Sequence, residues 1–232
     1  MIDWHSHILP LMDDGSRSVD ESLEMLDLMK SQGVECVVAT PHFLANEESV
    51  SEFLRRRNES YKLLMESVSE KHPRVTCGAE VKYYSGIGRM EELERLTVEG
   101  TNLLLLEMPV AKWTEYMLKE LIELSRTRGL VIVMAHIERY MSFQSKKDIE
   151  RLIDSGILMQ VNAGFFQKLA TRHKAMSLLA SGKIHFLGSD CHNMTLRPPN
   201  IDAAYNLIGR KFGEEYLCQM DEYAQVKLGC EI

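Results

Sequence analysis

A parallel α/β fold, closed into a distorted seven-stranded (β/α)7 barrel, is what this 232-residue sequence predicts. Three observations carry the prediction. Short apolar runs alternate with longer amphipathic stretches from end to end, the pattern of a parallel sheet covered by helices. Runs such as Leu130-Val131-Ile132-Val133-Met134 are apolar at every position, as strands buried on both faces should be. Finally, a polar or ionisable residue stands at or just past the C-terminal end of every predicted strand. An open doubly wound sheet would gather such residues only around its switch point. A closed barrel brings all strand ends to one face.

In chain order, strands are predicted over residues 1–5, 35–40, 75–80, 103–107, 130–136, 157–162 and 184–189. The helix predicted over 20–32 places Leu23, Leu26 and Met29 largely on one face and ends at Gly33, a C-cap residue. The next, over 51–71, is long and charged, with Leu54, Tyr61, Leu64, Met65 and Val68 at helical spacing. Helices over 116–127, 145–155 and 165–181 stop at Gly129, Gly156 and Gly182, and from residue 202 two more are split near Gly213. No linker, composition break or internal repeat interrupts the chain, so residues 1–232 are expected to form one domain.

Composition excludes several function classes. With 45% hydrophobic and 26% charged residues the chain is ordinary for a soluble globular protein, and its net charge of −7 argues against nucleic acid or acidic membranes as partners. Cys36, Cys77, Cys191, Cys218 and Cys230 are odd in number and widely spread, which points to a reducing compartment. No signal-peptide pattern and no apolar run near the roughly 20 residues of a membrane span is found, so the expected location is cytoplasmic.

The strand-end residues carry the chemistry: His5/His7, Thr40/His42, Glu80, Glu107, His136, Asn162 and Asp190/His192. Residues two apart on a strand point the same way, so His5 and His7 can reach one ion. A lone His-x-His is a weak signal, and any single member reads equally well as a hydrogen-bonded buried polar residue. The whole set does not, because so many ionisable groups converging without ions would carry a prohibitive desolvation cost. The expectation is a multi-metal hydrolase.

The motifs His5-Ser6-His7-Ile8-Leu9-Pro10 with Asp13-Asp14-Gly15, Ala39-Thr40-Pro41-His42, Gly78-Ala79-Glu80, Glu107, Ala135-His136-Ile137-Glu138-Arg139-Tyr140 and Ser189-Asp190-Cys191-His192-Asn193, followed by Arg197-Pro198-Pro199, run in order from residue 1 to about 200. They resemble the PHP (polymerase and histidinol phosphatase) superfamily. More narrowly they resemble its bacterial protein-tyrosine phosphatases of capsular and exopolysaccharide synthesis. Two positions depart from that pattern, Ile137 in place of the usual proline and Cys191 in place of a common alanine; both flank ligands rather than being ligands.

The resemblance implies the PHP fold, a distorted seven-stranded TIM-like barrel binding up to three divalent ions. It implies His5, His7, bridging Glu80 and Asp190 around the first ion, Glu80, Glu107 and His136 around the second, and Asp14, His42 and His192 around the third. A mixed nitrogen and oxygen donor set suits Mn, Fe, Co or Zn better than Ca or Mg, and manganese is the expectation the family brings. Two such ions activate a hydroxide and grip a phosphoryl group. Arg139 and Arg197 are placed to clamp its outer oxygens. The implied substrate is phosphotyrosine in protein, on the tail of a bacterial tyrosine kinase; the oligomeric state is left open.

Rival readings are weaker. Cys191 to Arg197 has the C-x5-R spacing of thiol-dependent tyrosine phosphatases, but the loop has no glycine and runs into Pro198-Pro199. Metal amidohydrolases use a lysine bridge and a sixth-strand histidine, where this chain has Glu80 and Asn162. A phosphatase of small metabolites such as histidinol phosphate is the nearest alternative. A nuclease-like phosphodiesterase lacks the basic track it would need, and a non-catalytic binding module does not explain an intact ligand set. His72 and His173 are expected in solvent and His185 in the barrel wall. Trp4, Trp113 and Tyr83-Tyr84 fit either the mouth or the core.

Overall fold

The computed structural model describes residues 1–229; Cys230 lies outside them. Among the described residues there are nine strands, all paired in parallel, and eight α-helices. The strands are β1 (Ile2–Ser6), β2 (Cys36–Ala39), β3 (His42–Phe43), β4 (Arg74–Cys77), β5 (Glu80–Lys82), β6 (Leu103–Glu107), β7 (Val131–Met134), β8 (Leu158–Asn162) and β9 (Phe186–Gly188). They form two sheets, β1-β2-β4 and β3-β5-β6-β7-β8-β9.

Nine strand segments stand among the described residues where seven were predicted. The second predicted strand, over 35–40, is β2 alone; β3 lies beyond its predicted end, past a break at Thr40-Pro41, where Pro41 has no N–H to give the ladder. The third splits into β4 and β5 at Gly78-Ala79. A Cβ on Gly78 would come within 3.1 Å of Val98. Backbone bonds still cross both breaks, from Gly78 N to Ala39 O (2.8 Å) and from Glu80 N to Pro41 O (3.0 Å). At the far edges, Ser6 and Cys191 form a lone parallel bridge, flanked by Asp190 N to His5 O (2.8 Å) and His7 N to Cys191 O (2.9 Å).

The helices are α1 (Val19–Ser31), α2 (Val50–Met65), α3 (Glu115–Thr127), α4 (Lys146–Asp154), α5 (Gly164–Gln167), α6 (Leu169–Ala180), α7 (Ile201–Phe212) and α8 (Glu214–Leu228). Ser18, Ser49, Thr114 and Ser145 cap α1 to α4 through side-chain oxygens that accept an N3 amide. The helix predicted over 51–71 stops at Met65. The helix predicted over 165–181 is broken at Lys168, which is extended (φ −71°, ψ 124°). Side chains satisfy the carbonyls that the break frees: Arg172 donates to Phe166 O (3.0 Å) and Gln167 O (2.8 Å), and Thr171 to Phe165 O (2.7 Å).

Two apolar layers result. One lies between sheet and helices. The other gathers Ile2, Trp4, Cys36, Val38, Leu103, Leu105, Val133, Leu158 and Phe186 with Ala224 and Leu228 of α8. Along β6 the alternation is plain: Leu103 and Leu105 join the second layer, Leu104 and Leu106 the first. Glu107 follows Leu105 on that inner side. Among the described residues no helix is long and apolar enough to cross a membrane.

Candidate metal centre

The strand ends carry the ligand candidates, and β1 reaches its place by a bulge. Asp3 pairs with Val37 and Ser6 with Ala39, so three steps on β1 face two on β2. The extra residue re-aims the chain, which lets Trp4 stack on Phe186 (3.9 Å between centroids) while His5 joins the centre. The bulge also takes the His5 N–H out of the ladder, and the buried Asp3 carboxylate accepts it (3.2 Å) together with Ser189 N (2.8 Å).

All nine residues singled out as ligands come together, in four overlapping groups: His7, Asp14, His42 and His192; His5, His7 and Asp190; His5, Glu80 and His136; His42, Glu80 and Glu107. Glu80 is buried at the middle and divides its oxygens. Oε1 lies 2.7 Å from His136 Nε2, while Oε2 lies 3.2 Å from His5 Nε2, 3.4 Å from His7 Nε2 and 3.0 Å from His42 Nδ1. Asp190 Oδ1 is 3.6 Å from the Nε2 atoms of both His5 and His7. Asp14, the most exposed of the set, reaches His192 Nε2 (3.4 Å) and His42 Nε2 (3.5 Å).

The donor set fits divalent ions on its own chemistry. Four imidazoles are anchored through Nδ1 and turn Nε2 toward the centre. His5 is held by Gln160 Oε1 (3.3 Å), His7 by Asp13 Oδ2 (2.7 Å), His136 by Tyr140 Oη (3.1 Å) and His192 by Asp190 O (3.0 Å). Partners of this kind fix the tautomer and orientation of metal-binding histidines. The electrostatics agree. Burial opposes charge on Glu80 and Asp190, yet the neighbouring histidines outweigh it, holding Glu80 well below the usual range and Asp190 at about 2. Burial likewise opposes a charged His7, but Asp13 and Glu80 lift its imidazole to about 10. A centre that draws protons this strongly offers the same lone pairs to cations.

Arg139 and Arg197 stand at the mouth, each about a third exposed. Both reach Asp190 Oδ2, Arg197 Nη2 at 2.6 Å, and Arg197 Nη1 also meets His192 Nε2 at 2.8 Å. Burial beside His7 and Arg197 lowers His192 to about 4, so it presents a lone pair. Cys191, the false C-x5-R nucleophile, is fully buried, and burial pushes its thiol well above the ordinary range.

Residues 1–225 match the family described as capsular polysaccharide synthesis, CpsB/CapC. This chain belongs to that family. The tyrosine-protein phosphatase CpsB of Streptococcus agalactiae serotype III is 32% identical over 236 residues, spanning 95% of this chain and 94% of its own. The tyrosine-protein phosphatase YwqE of Bacillus subtilis is 29% identical over 98% of this chain and 91% of its own. A crystal structure from the work on YwqE of B. subtilis and CpsB of Streptococcus pneumoniae, described as unique metal-dependent tyrosine phosphatases, superposes with a TM-score of 0.81 at 25% identity, covering 100% of this chain and 96% of the other.

This CpsB/CapC chain adds residues that sequence reasoning passed over. Asp3, Asp13, Tyr140 and Gln160 each hydrogen-bond a candidate ligand. Asp13 had a legible sign, since it stands in Asp13-Asp14-Gly15. A Cβ at Gly15 would lie 2.3 Å from His7 O, so only glycine lets the loop close on His7. Gln160 had a fainter one, as a polar residue inside the apolar run of β8. One side reading is corrected and others are decided. His72 is buried, not solvated, with Nδ1 accepting from Ser69 N (3.0 Å). Trp4 and Trp113 are both core residues. His173 is exposed and His185 half-buried, as expected. Tyr83 and Tyr84 do line a cleft of about 600 Å³ with Phe43 and Lys82. A second cleft of about 650 Å³ has Arg139, Asp190 and Arg197 in its wall, beside Phe165, Lys168 and Leu196.

Proposed function

We propose that this chain is a metal-dependent protein-tyrosine phosphatase that hydrolyses phosphotyrosine in a protein substrate. Membership in the CpsB/CapC family supports the activity. The single structural observation that carries it is a buried cluster of histidines and carboxylates with two arginines at its mouth. Divalent ions held by His5, His7, Asp14, His42, Glu80, Glu107, His136, Asp190 and His192 would supply Lewis acidity and an activated water. Manganese suits this nitrogen and oxygen set.

The chain's own residues do the rest. Glu80 presents one oxygen to each side of the centre and so sets the spacing of its halves. Arg139 and Arg197 offer guanidinium N–H groups where a phosphoryl group would meet the cluster, exchanging their Asp190 contact for phosphoryl oxygens. The phosphotyrosine side chain enters by the cleft these arginines wall, with Phe165 and Leu196 beside its ring. Its phenolate, with a parent pKa of about 10, leaves without a strong demand for a general acid.

The physiological substrate in this reading is the tyrosine-rich tail of a bacterial tyrosine kinase controlling polysaccharide export, met in the cytoplasm. We read residues 1–232 as one domain and the two sheets as one closed seven-stranded barrel. The backbone bonds across the Pro41 and Gly78 breaks and the β1–β9 bridge support that. The deciding experiment compares phosphotyrosine peptide, phosphoserine peptide and histidinol phosphate on Mn-loaded protein, with and without chelator. Preferred, chelator-sensitive turnover of phosphotyrosine is expected; preference for histidinol phosphate would overturn the protein substrate.

A further inference from the structure

Strand β8 contributes no ligand, yet its two inward polar residues touch the ligands of its neighbours. Gln160 is fully buried. Its Oε1 lies 2.6 Å from His136 N and 3.3 Å from His5 Nδ1, and its Nε2 lies 3.0 Å from Asn162 Oδ1. Asn162 Nδ2 in turn lies 2.7 Å from Asp190 Oδ2. The chain of contacts therefore joins β7, β1 and β9 through one strand.

Its direction follows from its ends. A backbone N–H can only donate, so the Gln160 atom facing His136 is the oxygen. The opposite end of that amide is then NH2, which requires oxygen from Asn162. The Asn162 NH2 is left facing an ionised carboxylate, which can only accept. Every amide orientation is set between one obligate donor and one obligate acceptor. A side branch follows. Because Gln160 presents oxygen to His5 Nδ1, that nitrogen must carry the proton, and the His5 Nε2 lone pair is turned into the cluster. The same amide anchors a strained turn, since His136 is left-handed (φ 33°). Asp190, at the other end, is left-handed too (φ 54°).

We propose that Gln160 and Asn162 form a buried amide relay that positions His5, His136 and Asp190 as metal ligands and selects the His5 tautomer. The inference rests on the metal-centre reading above and assigns positioning roles, not catalytic ones.

The test is Mn2+ binding by calorimetry on the full chain, with no substrate present. Gln160→Met and Asn162→Leu keep side-chain size while removing the hydrogen bonds. Each is expected to weaken Mn2+ about 10- to 100-fold, the usual cost of losing an outer-shell partner. Melting in chelator should stay cooperative. Because both substitutions cut one chain, the double variant is expected to lose no more than about twofold beyond the worse single. In Co2+-loaded protein the visible absorption bands should shift in both singles. If Gln160→Met does not fold, the Asn162→Leu affinity and spectrum decide alone. Affinity within twofold of wild type, or losses that multiply in the double variant, would overturn the relay. A wild type that bound no divalent ion would instead sink the phosphatase reading.

Discussion

Glu80 is the residue on which the two halves of the centre depend, because its oxygens face His136 on one side and His5, His7 and His42 on the other. Glu80→Ala removes both contacts at once and leaves buried imidazoles facing one another. Metal content measured by mass spectrometry should fall below wild type, and phosphotyrosine turnover should drop by at least about 100-fold. A variant keeping both would undo the bridging assignment. Arg197 behaves differently, since it touches the cluster only from its mouth. Arg197→Ala should retain its metal and lose about 10²- to 10³-fold in kcat, the scale of removing one donor to developing charge. Lysine should not restore the rate, because it cannot reproduce the two-pronged contact with Asp190 Oδ2 and His192 Nε2. At this scale the gathering of the histidines and carboxylates was legible, because buried charge is costly and so many ionisable residues at strand ends call for cations to offset that cost. Asp3 and Tyr140 were not, and Gln160 only faintly. Each acts through a hydrogen bond to a ligand, and such a residue is indistinguishable in sequence from any satisfied polar group.

Strands, rather than single residues, set how tightly the ligands are packed. At Gly188 on β9 a Cβ would lie 2.6 Å from His5 Cβ, 2.8 Å from Gln160 Nε2 and 2.9 Å from His5 N. Those contacts are across the seam between β1 and β9 and from β8, so neither neighbour can yield without moving a strand. Gly188→Ala should therefore cost about 1–3 kcal/mol by overpacking, seen as a melting temperature lower by several degrees in chelator. A second effect concerns the opposite end of β9. His185 accepts from Met159 N (3.0 Å), and burial, reinforced by Lys227, lowers its imidazole to about 4. The unfolded chain, with a histidine near 6.5, takes up a proton between about pH 6.5 and 4 while the folded protein does not. That share of stability is present above pH 6.5 and is lost as pH falls toward 4. His185→Asn keeps an acceptor for Met159 but cannot titrate. Between pH 7.5 and 5, in chelator, its melting temperature should fall less than that of wild type, by about 1 kcal/mol in stability after allowing for partial exposure. An unchanged difference would sink this account. The seven strand segments and most helix ends were readable from apolar runs and terminal glycines. The β1 bulge was not, because it exists only in the pairing of β1 with β2, and the break at Lys168 was not, because distant-looking Arg172 and Thr171 make it cheap.

For the whole molecule, sequence order explains why ligands from β1 to β9 meet on one face, but not which side of that face admits a substrate. Tertiary packing decides that, through two clefts that no local pattern encodes. The cleft beside Tyr83 and Tyr84 shares no ligand with the centre, whereas the other has Asp190 and both arginines in its wall. A phosphoryl group gripped by Arg139 and Arg197 must therefore leave its tyrosyl portion in the second cleft. Leu196 stands at that mouth with its side chain 87% exposed, and its loop is held by Asn193 Oδ1, which accepts from Leu196 N (2.7 Å) and Arg197 N (3.2 Å). The loop thus keeps its shape whatever side chain residue 196 carries. Leu196→Glu removes an apolar contact and places a negative charge beside an anionic substrate. It should raise KM for a phosphotyrosine peptide about tenfold, equivalent to about 1.4 kcal/mol, with metal content unchanged and kcat within a few-fold of wild type. Tyr84→Ser, in the other cleft, should leave KM within twofold. The reverse pattern in steady-state kinetics, a large effect at Tyr84 and none at Leu196, would place the substrate on the opposite side of the centre.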